Sequence, residues 1–269
     1  MDGKTRRERT GRLAGLLREQ LNDMVAATHG LSELLPGDGL GADYLAVINR
    51  GICRQLRMVH RLELEHRLSS EDEIRLVTAP VDLAAMCREL MDEVAGIVRA
   101  LGVRAEFFSE SEELIVCADR ARLEDLLLFL ISNSLQAMKS GGELSLTLEK
   151  RGDQAIFLLS DNGGGASPEA MAEFFGASEE ELDIPEHPTM GAGLALARKI
   201  AALHGGFVLA DNYEGKGMRL VVSISTELPG TEGLRTLRPV VREEGWNKTL
   251  VELSECLPNS FFAPKEFDA

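Results

Sequence analysis

The periodicity of the chain changes near residue 72, and that change limits the possible folds more than any single motif. Before it, Leu17, Leu21, Met24, Thr28, Leu31 and Leu35 recur at spacings of 4, 3, 4, 3 and 4, a seam for packing helix on helix. Pro36-Gly37-Asp38-Gly39-Leu40-Gly41 breaks the pattern, and Leu45, Ile48, Ile52, Leu56, Val59 and Leu62 resume it. Two helices alone bury too little surface to be stable in water, so this hairpin is predicted to dimerise into a four-helix bundle. Arg50, Arg54, Arg57 and Arg61 share one face of the second helix. They read either as a solvated stripe beside Glu63 and Glu65, or as a docking face for an acidic partner or for the acidic second domain.

After residue 72 the pattern becomes mixed. Leu83–Ala100 is predicted helical with Asp82 as N-cap, and a second helix from Asp119 runs to about Met138. Val103–Phe108, Leu114–Cys117, Glu143–Glu149, Ala155–Leu159, Phe207–Ala210 and Leu220–Ile224 read as strands, and Ala192–Leu203 as a helix. Hairpins outnumber crossovers, which predicts a mixed sheet layered with helices. The fold class is therefore α+β: a helical hairpin over 1–70, an α/β sandwich over 71–226, and a C-terminal extension over 227–269. In that extension Trp246, Leu250, Leu253 and Leu257 line one side, followed by Phe261-Phe262, a stripe for docking or for partner binding.

Charge excludes some functions. The net charge is −15, with eleven basic and nine acidic side chains in residues 1–69 against eighteen and thirty-five in the remainder. So acidic a surface argues against nucleic-acid binding. No apolar run approaches the roughly 18 residues of a membrane span, and the charged N-terminus has no secretory pattern, so a cytoplasmic protein is expected. Cys53, Cys87, Cys117 and Cys256 are scattered, which favours reduced thiols over a disulfide framework or a metal site.

Three elements carry chemistry. Leu126–Ser134 is a strongly apolar helix that turns polar at Asn133; alone, Asn133 is equally a surface residue or a ligand. Ser160-Asp161-Asn162-Gly163-Gly164-Gly165 follows a buried strand, where Asp161 can accept a hydrogen bond from an exocyclic amine and the glycines let backbone approach a flat ring. Gly191-Ala192-Gly193-Leu194 opens a helix whose N–H groups and dipole favour phosphate.

In this order the three resemble the nucleotide-binding boxes of the GHKL ATPase superfamily, specifically its histidine-kinase branch. The resemblance makes Asn133 the Mg²⁺ ligand. Asp161, Gly163 and Gly165 become the box that reads adenine, and Gly191, Gly193 and Leu194 the glycine box beyond the ATP lid. Phe174 and Phe175 fall at the family's Phe box, and Ala202-Leu203-His204-Gly205-Gly206 fits the stretch that follows. Residues 71–226 are thereby expected to be an ATP-binding domain of GHKL type. Gly30–Leu35 and the second helix resemble the dimerisation hairpin of sensor kinases, which implies a homodimer and a response regulator or other signalling partner.

Departures from the family qualify the activity. Registered on Gly30–Leu35, the phosphoacceptor histidine position holds Glu19, and a carboxylate does not replace imidazole as the phosphoramidate-forming nucleophile. His29, the one histidine on that helix, is the alternative acceptor. Phe129 stands where a polar or acidic residue would face the γ-phosphate, and Gln136 replaces a common lysine. Glu169, Glu173, Glu179, Glu180, Glu181, Asp183 and Glu186 make the lid acidic, with Arg198 and Lys199 the nearest cations. The expectation is an ATP:protein phosphotransferase by resemblance, impaired in autophosphorylation. Its alternatives are a non-enzymatic ATP-responsive dimeric regulator (a pseudokinase) and an anti-sigma-type serine kinase, against which the hairpin speaks.

Overall fold

The computed structural model describes residues 3–34, 40–68, 76–138, 141–165, 192–213, 217–227 and 247–263. Two compact units result: Met1–Ile74 with Trp246–Ala269, and Arg75–Gly245.

In the first unit, α1 (Gly3–Leu34) and α2 (Leu40–Leu68) pair as the expected hairpin. Its core gathers Ala14, Leu21, Ile52, Leu56 and Val59, with Val25 and Leu62 packed at the margin. The predicted α1 seam divides. Leu21 faces α2, whereas Leu17, Met24 and Leu31 are 43%, 47% and 45% exposed. One neighbouring helix covers only part of a seam, so a helix written for two neighbours keeps an open edge. Leu35 lies outside the described residues.

A short helix α6 (Lys248–Glu252) and the 3-10 turns Leu253–Glu255 and Asn259–Phe262 pack on α2. Asn247 caps α6 by accepting from the Leu250 N–H at 2.7 Å. Leu253, Leu257 and Phe262 are fully buried, and Val251 joins the hairpin core. The extension docks on the arginine face of α2, where Arg57 and Arg61 are buried rather than solvated. Trp246 lies outside the described residues.

The second unit begins with β1 (Ala79–Asp82), paired antiparallel to β3 (Ile115–Ala118) in a two-stranded sheet. The Asp82 side chain caps α3 (Leu83–Val98) through the Ala84 N–H and also accepts from Leu114. Asp119 caps α4 (Arg120–Ala137) through Arg122. Both caps satisfy N–H groups that a helix leaves unpaired in its first turn.

The main sheet has the order β2-β4-β5-β7-β6, from β2 (Val103–Ser109), β4 (Gly142–Arg151), β5 (Gln154–Asp161), β7 (Gly217–Ser225) and β6 (Phe207–Tyr213). Only β2–β4 is parallel, so the sheet is mixed as predicted. Leu144, Leu146, Leu148, Ala155, Phe157 and Leu159 alternate inward, each large one worth about 1.5–3 kcal/mol on burial. α3 packs on β2 and β4, α4 on β5, and α5 (Ala192–Leu203) on α4, β6 and β7. Phe129, 1% exposed on α4, belongs to this core.

Candidate functional site

Asp161 ends β5 at the mouth of a loop that three neighbours shape. Its Oδ1 accepts from the Gly163 N–H at 2.9 Å and the Met218 N–H at 3.3 Å. Among the described residues both bonds fall on Oδ1, which leaves Oδ2 for a ligand's amine. The loop is locked to β4 by Asn162, whose Oδ1 accepts from the Glu143 N–H at 2.8 Å and whose N–H donates to the Glu143 carbonyl at 3.2 Å.

Glycine is required here by contact. A Cβ on Gly217, at φ +109°, would stand 1.9 Å from the Asp161 carbonyl oxygen. On Gly165, at φ +71°, it would meet Asn212 Oδ1 at 2.5 Å, and on Gly163 the Ala137 carbonyl at 3.1 Å. The loop therefore nestles between the end of α4 and the adjoining ends of β6 and β7. The Asp161 and Ala137 carbonyls and the side-chain oxygens of Asn212 and Asp161 close on it.

Asn133 lies half-buried on α4, one turn before Ala137. Gly193 is buried and Leu194 half-buried in the first turn of α5, which packs on α4. The structure thus puts Asn133, the Asp161 loop and the start of α5 on adjoining elements of one unit. Gly191, Phe174, Phe175 and the acidic stretch from Glu169 to Glu186 lie outside the described residues.

Buried His204 supports this arrangement from below. Its Nε2 accepts from the Asp119 N–H at 3.1 Å and its Nδ1 donates to the Ile200 carbonyl at 2.8 Å, which fixes the neutral tautomer. Burial holds the imidazole below its ordinary value, while the Ile200 carbonyl and Asp119 act the other way. The sequence placed His204 only in a family stretch, and the roles of Asn162, Asn212 and the Met218 N–H were not foreseen.

In the hairpin unit, Glu19 is exposed on α1, beside the bidentate pair of Arg18 with Glu63 at 3.1 and 2.7 Å. The cysteines are free, and burial pushes the Cys53 thiol up to about 12. No cluster of metal-binding side chains occurs among the described residues, and no described helix is long and apolar enough to cross a membrane.

Residues 118–228 match the family described as histidine kinase-, DNA gyrase B- and HSP90-like ATPases. The chain carries an ATPase domain of the histidine-kinase type. That domain's chain is 27% identical over 216 residues to the methanogenesis regulatory histidine kinase FilI of Methanothrix harundinacea, covering 79% of this chain and 22% of that protein. It is 25% identical over 186 residues to the sensor protein kinase PmrB of Pseudomonas aeruginosa, covering 69% and 38%. The chain thus spans well under half the length of these relatives. Full-length ShkA in complex with AMPPNP shares the fold at a TM-score of 0.66 and 21% identity, over 82% of this chain and 46% of that one. Histidine kinase ThkA in complex with the response regulator protein TrrA does so at 0.54 and 23%, over 82% and 61%.

Proposed function

We propose that this chain is an ATP-binding signal-transduction protein of the histidine-kinase type, dimeric through its hairpin, in which nucleotide binding is kept and autophosphorylation impaired. The observation that carries the reading is the Asp161 carboxylate, held by two backbone N–H groups in a loop packed so closely that a Cβ on Gly165 or Gly217 would collide with its neighbours. Oδ2 accepts the exocyclic amine of adenine, and the Gly163 and Gly165 backbone lies against the ring. The start of α5, with Gly191, Gly193 and Leu194, receives phosphate through its N–H groups. Asn133 supplies an amide oxygen suited to Mg²⁺, which neutralises triphosphate charge when bound.

Exposed Glu19 at the acceptor position supports the impairment, and His29 stands as the alternative acceptor. A response regulator is the proposed partner class, in line with the ThkA complex, and the cytoplasm the proposed compartment. The same exposed carboxylate favours a second reading, a non-enzymatic ATP-responsive regulator. A serine kinase of anti-sigma type has no need of the hairpin.

Thermal melting with Mg-ATP and Mg-ADP tests the pocket. Both should raise the melting temperature, and Asp161→Asn should abolish the rise. A wild-type chain unmoved by either nucleotide would sink the proposal.

A further inference from the structure

The chain enters the ATPase domain through a short strap, residues 76–78, that is tied to Asp119. The Val77 N–H donates to Asp119 Oδ2 at 2.9 Å, while the Val77 side chain stands 78% exposed. Two residues on, Ala79 opens β1 opposite Ala118 of β3, so the bond continues that pairing through a side chain. Asp119 itself is buried. Its Oδ1 accepts from the Arg122 N–H at 3.2 Å and caps α4, and its carbonyl accepts from the Leu123 N–H at 3.0 Å. Its own N–H donates to His204, which is anchored to the last turn of α5 through the Ile200 carbonyl. One residue therefore joins the strap, the start of α4 and, through His204, the end of α5.

The far ends of those two helices carry candidate nucleotide residues. At 1.5 Å of rise per residue, Asn133 lies about 21 Å along α4 from Asp119, and Gly193 about 16 Å back along α5 from His204. The helices pack on one another, so a shift at the Asp119 end alters their spacing at the other. A carboxylate offers two acceptor oxygens, and here the strap takes one and the helix cap the other. With Val77 released, Oδ2 loses this donor in a buried place. The group then turns toward another donor, and the cap on Oδ1 turns with it.

We infer that Asp119 is a positioning residue for the nucleotide site, through which docking of the strap at Val77 and binding of nucleotide favour each other. The inference rests on the nucleotide reading given above and adds a means of regulating it. Linkage is reciprocal, so the strap tightens nucleotide binding by the factor by which nucleotide tightens the strap. Whatever draws residues 76–78 away from Asp119 then lowers nucleotide affinity without touching the pocket.

Amide exchange of the full chain, followed by NMR with and without saturating Mg-ADP, tests the coupling without any substitution. The Val77 N–H should exchange about threefold to tenfold more slowly when nucleotide is bound. The Leu114 N–H is the internal reference. It donates to Asp82 Oδ1 at 3.0 Å in the same domain, at the cap of α3, which carries none of the candidate nucleotide residues. Its rate should change by less than about twofold, because it stands outside the coupled elements. Calorimetry then compares Val77→Pro, which lacks the donor, with Val77→Ala, which keeps it. Val77→Pro should weaken Mg-ADP binding about threefold to tenfold, and Val77→Ala should bind as the wild type does. Slowing at Val77 no greater than at Leu114 reports stabilisation of the whole domain and overturns the inference, as does equal affinity of the two variants. Where Val77→Pro does not fold, the exchange comparison decides alone. A wild-type chain that does not bind Mg-ADP removes the nucleotide reading and this inference together, whereas binding without a response at Val77 removes this inference only.

Discussion

The backbone N–H of Asp119 donates to Nε2 of His204 over 3.1 Å, joining the cap of α4 to the end of α5. These helices carry Asn133 and the second glycine box, so a structural histidine sets the spacing of two candidate ligand elements. Protonating Nε2 would remove the acceptor and place a charge in a buried site.

Stability should therefore depend on pH through His204. Its folded value lies below the unfolded value of about 6.5, so the unfolded chain binds the proton first as pH falls. The contribution is complete above pH 6.5, declines as pH drops through that value, and levels off below the folded value. His204→Ala should cost about 1–3 kcal/mol at pH 7.5, by leaving the Asp119 N–H buried and unpaired. It should also flatten the slope of the urea midpoint between pH 7.5 and 5.5. An unchanged slope would assign the pH dependence elsewhere.

Gly217→Ala should cost about 3 kcal/mol or more and abolish nucleotide-induced stabilisation, since its Cβ would enter the Asp161 carbonyl. Gly152→Ala is the control. It also has positive φ, +63°, but open space around it, and should cost only about 1–2 kcal/mol. Equal losses in urea unfolding would refute the steric account.

Leu17, Met24 and Leu31 repeat every seven residues along α1 and remain exposed. Equilibrium sedimentation should find a dimer for the wild type and a monomer for Met24→Glu, because a carboxylate in an apolar seam is left without a partner. A Met24→Glu chain that stays dimeric would place the interface elsewhere.

Removing Glu252 takes away the carboxylate that Arg57 and Arg61, both buried, share. Breaking a buried pair in this way costs about 3–5 kcal/mol, an upper bound here because the extension can undock. Glu252→Ala should therefore speed proteolysis within 247–263, while Arg104→Ala, in an exposed pair with Glu106, should not. Similar cleavage rates in both variants would count against the buried cluster.

With γ-labelled Mg-ATP, the wild-type chain should acquire no acid-labile phosphate. Label that appears, and is lost in His29→Ala, would make His29 the acceptor and overturn the reading of Glu19.

Local chemistry was legible in the sequence. As helix caps, Asp82 and Asp119 act within three residues of themselves, and the inward alternation of β4 and β5 is a property of consecutive positions. The Asp161 loop was legible for the same reason. The partners of the arginine stripe were not, because Glu252 and Glu255 lie roughly two hundred residues away from α2 in sequence. Nothing in residues 50–61 distinguishes a solvated guanidinium from one that a distant carboxylate covers. Likewise, heptad spacing reports that Leu17, Leu21 and Met24 are apolar, but not which neighbour each will meet. His204 was hidden differently, since its acceptor role depends on a backbone N–H 85 positions upstream.

Because residues 247–263 belong to the unit begun by α1 and α2, the ATPase domain is in effect an insertion within the helical one. Synthesis on the ribosome then reverses the usual order, in which the N-terminal unit folds first. The hairpin emerges early but keeps Arg57 and Arg61 without Glu252, and its core without Val251, until the extension has cleared the exit tunnel. The ATPase domain, born in the middle, is the first to have all its parts.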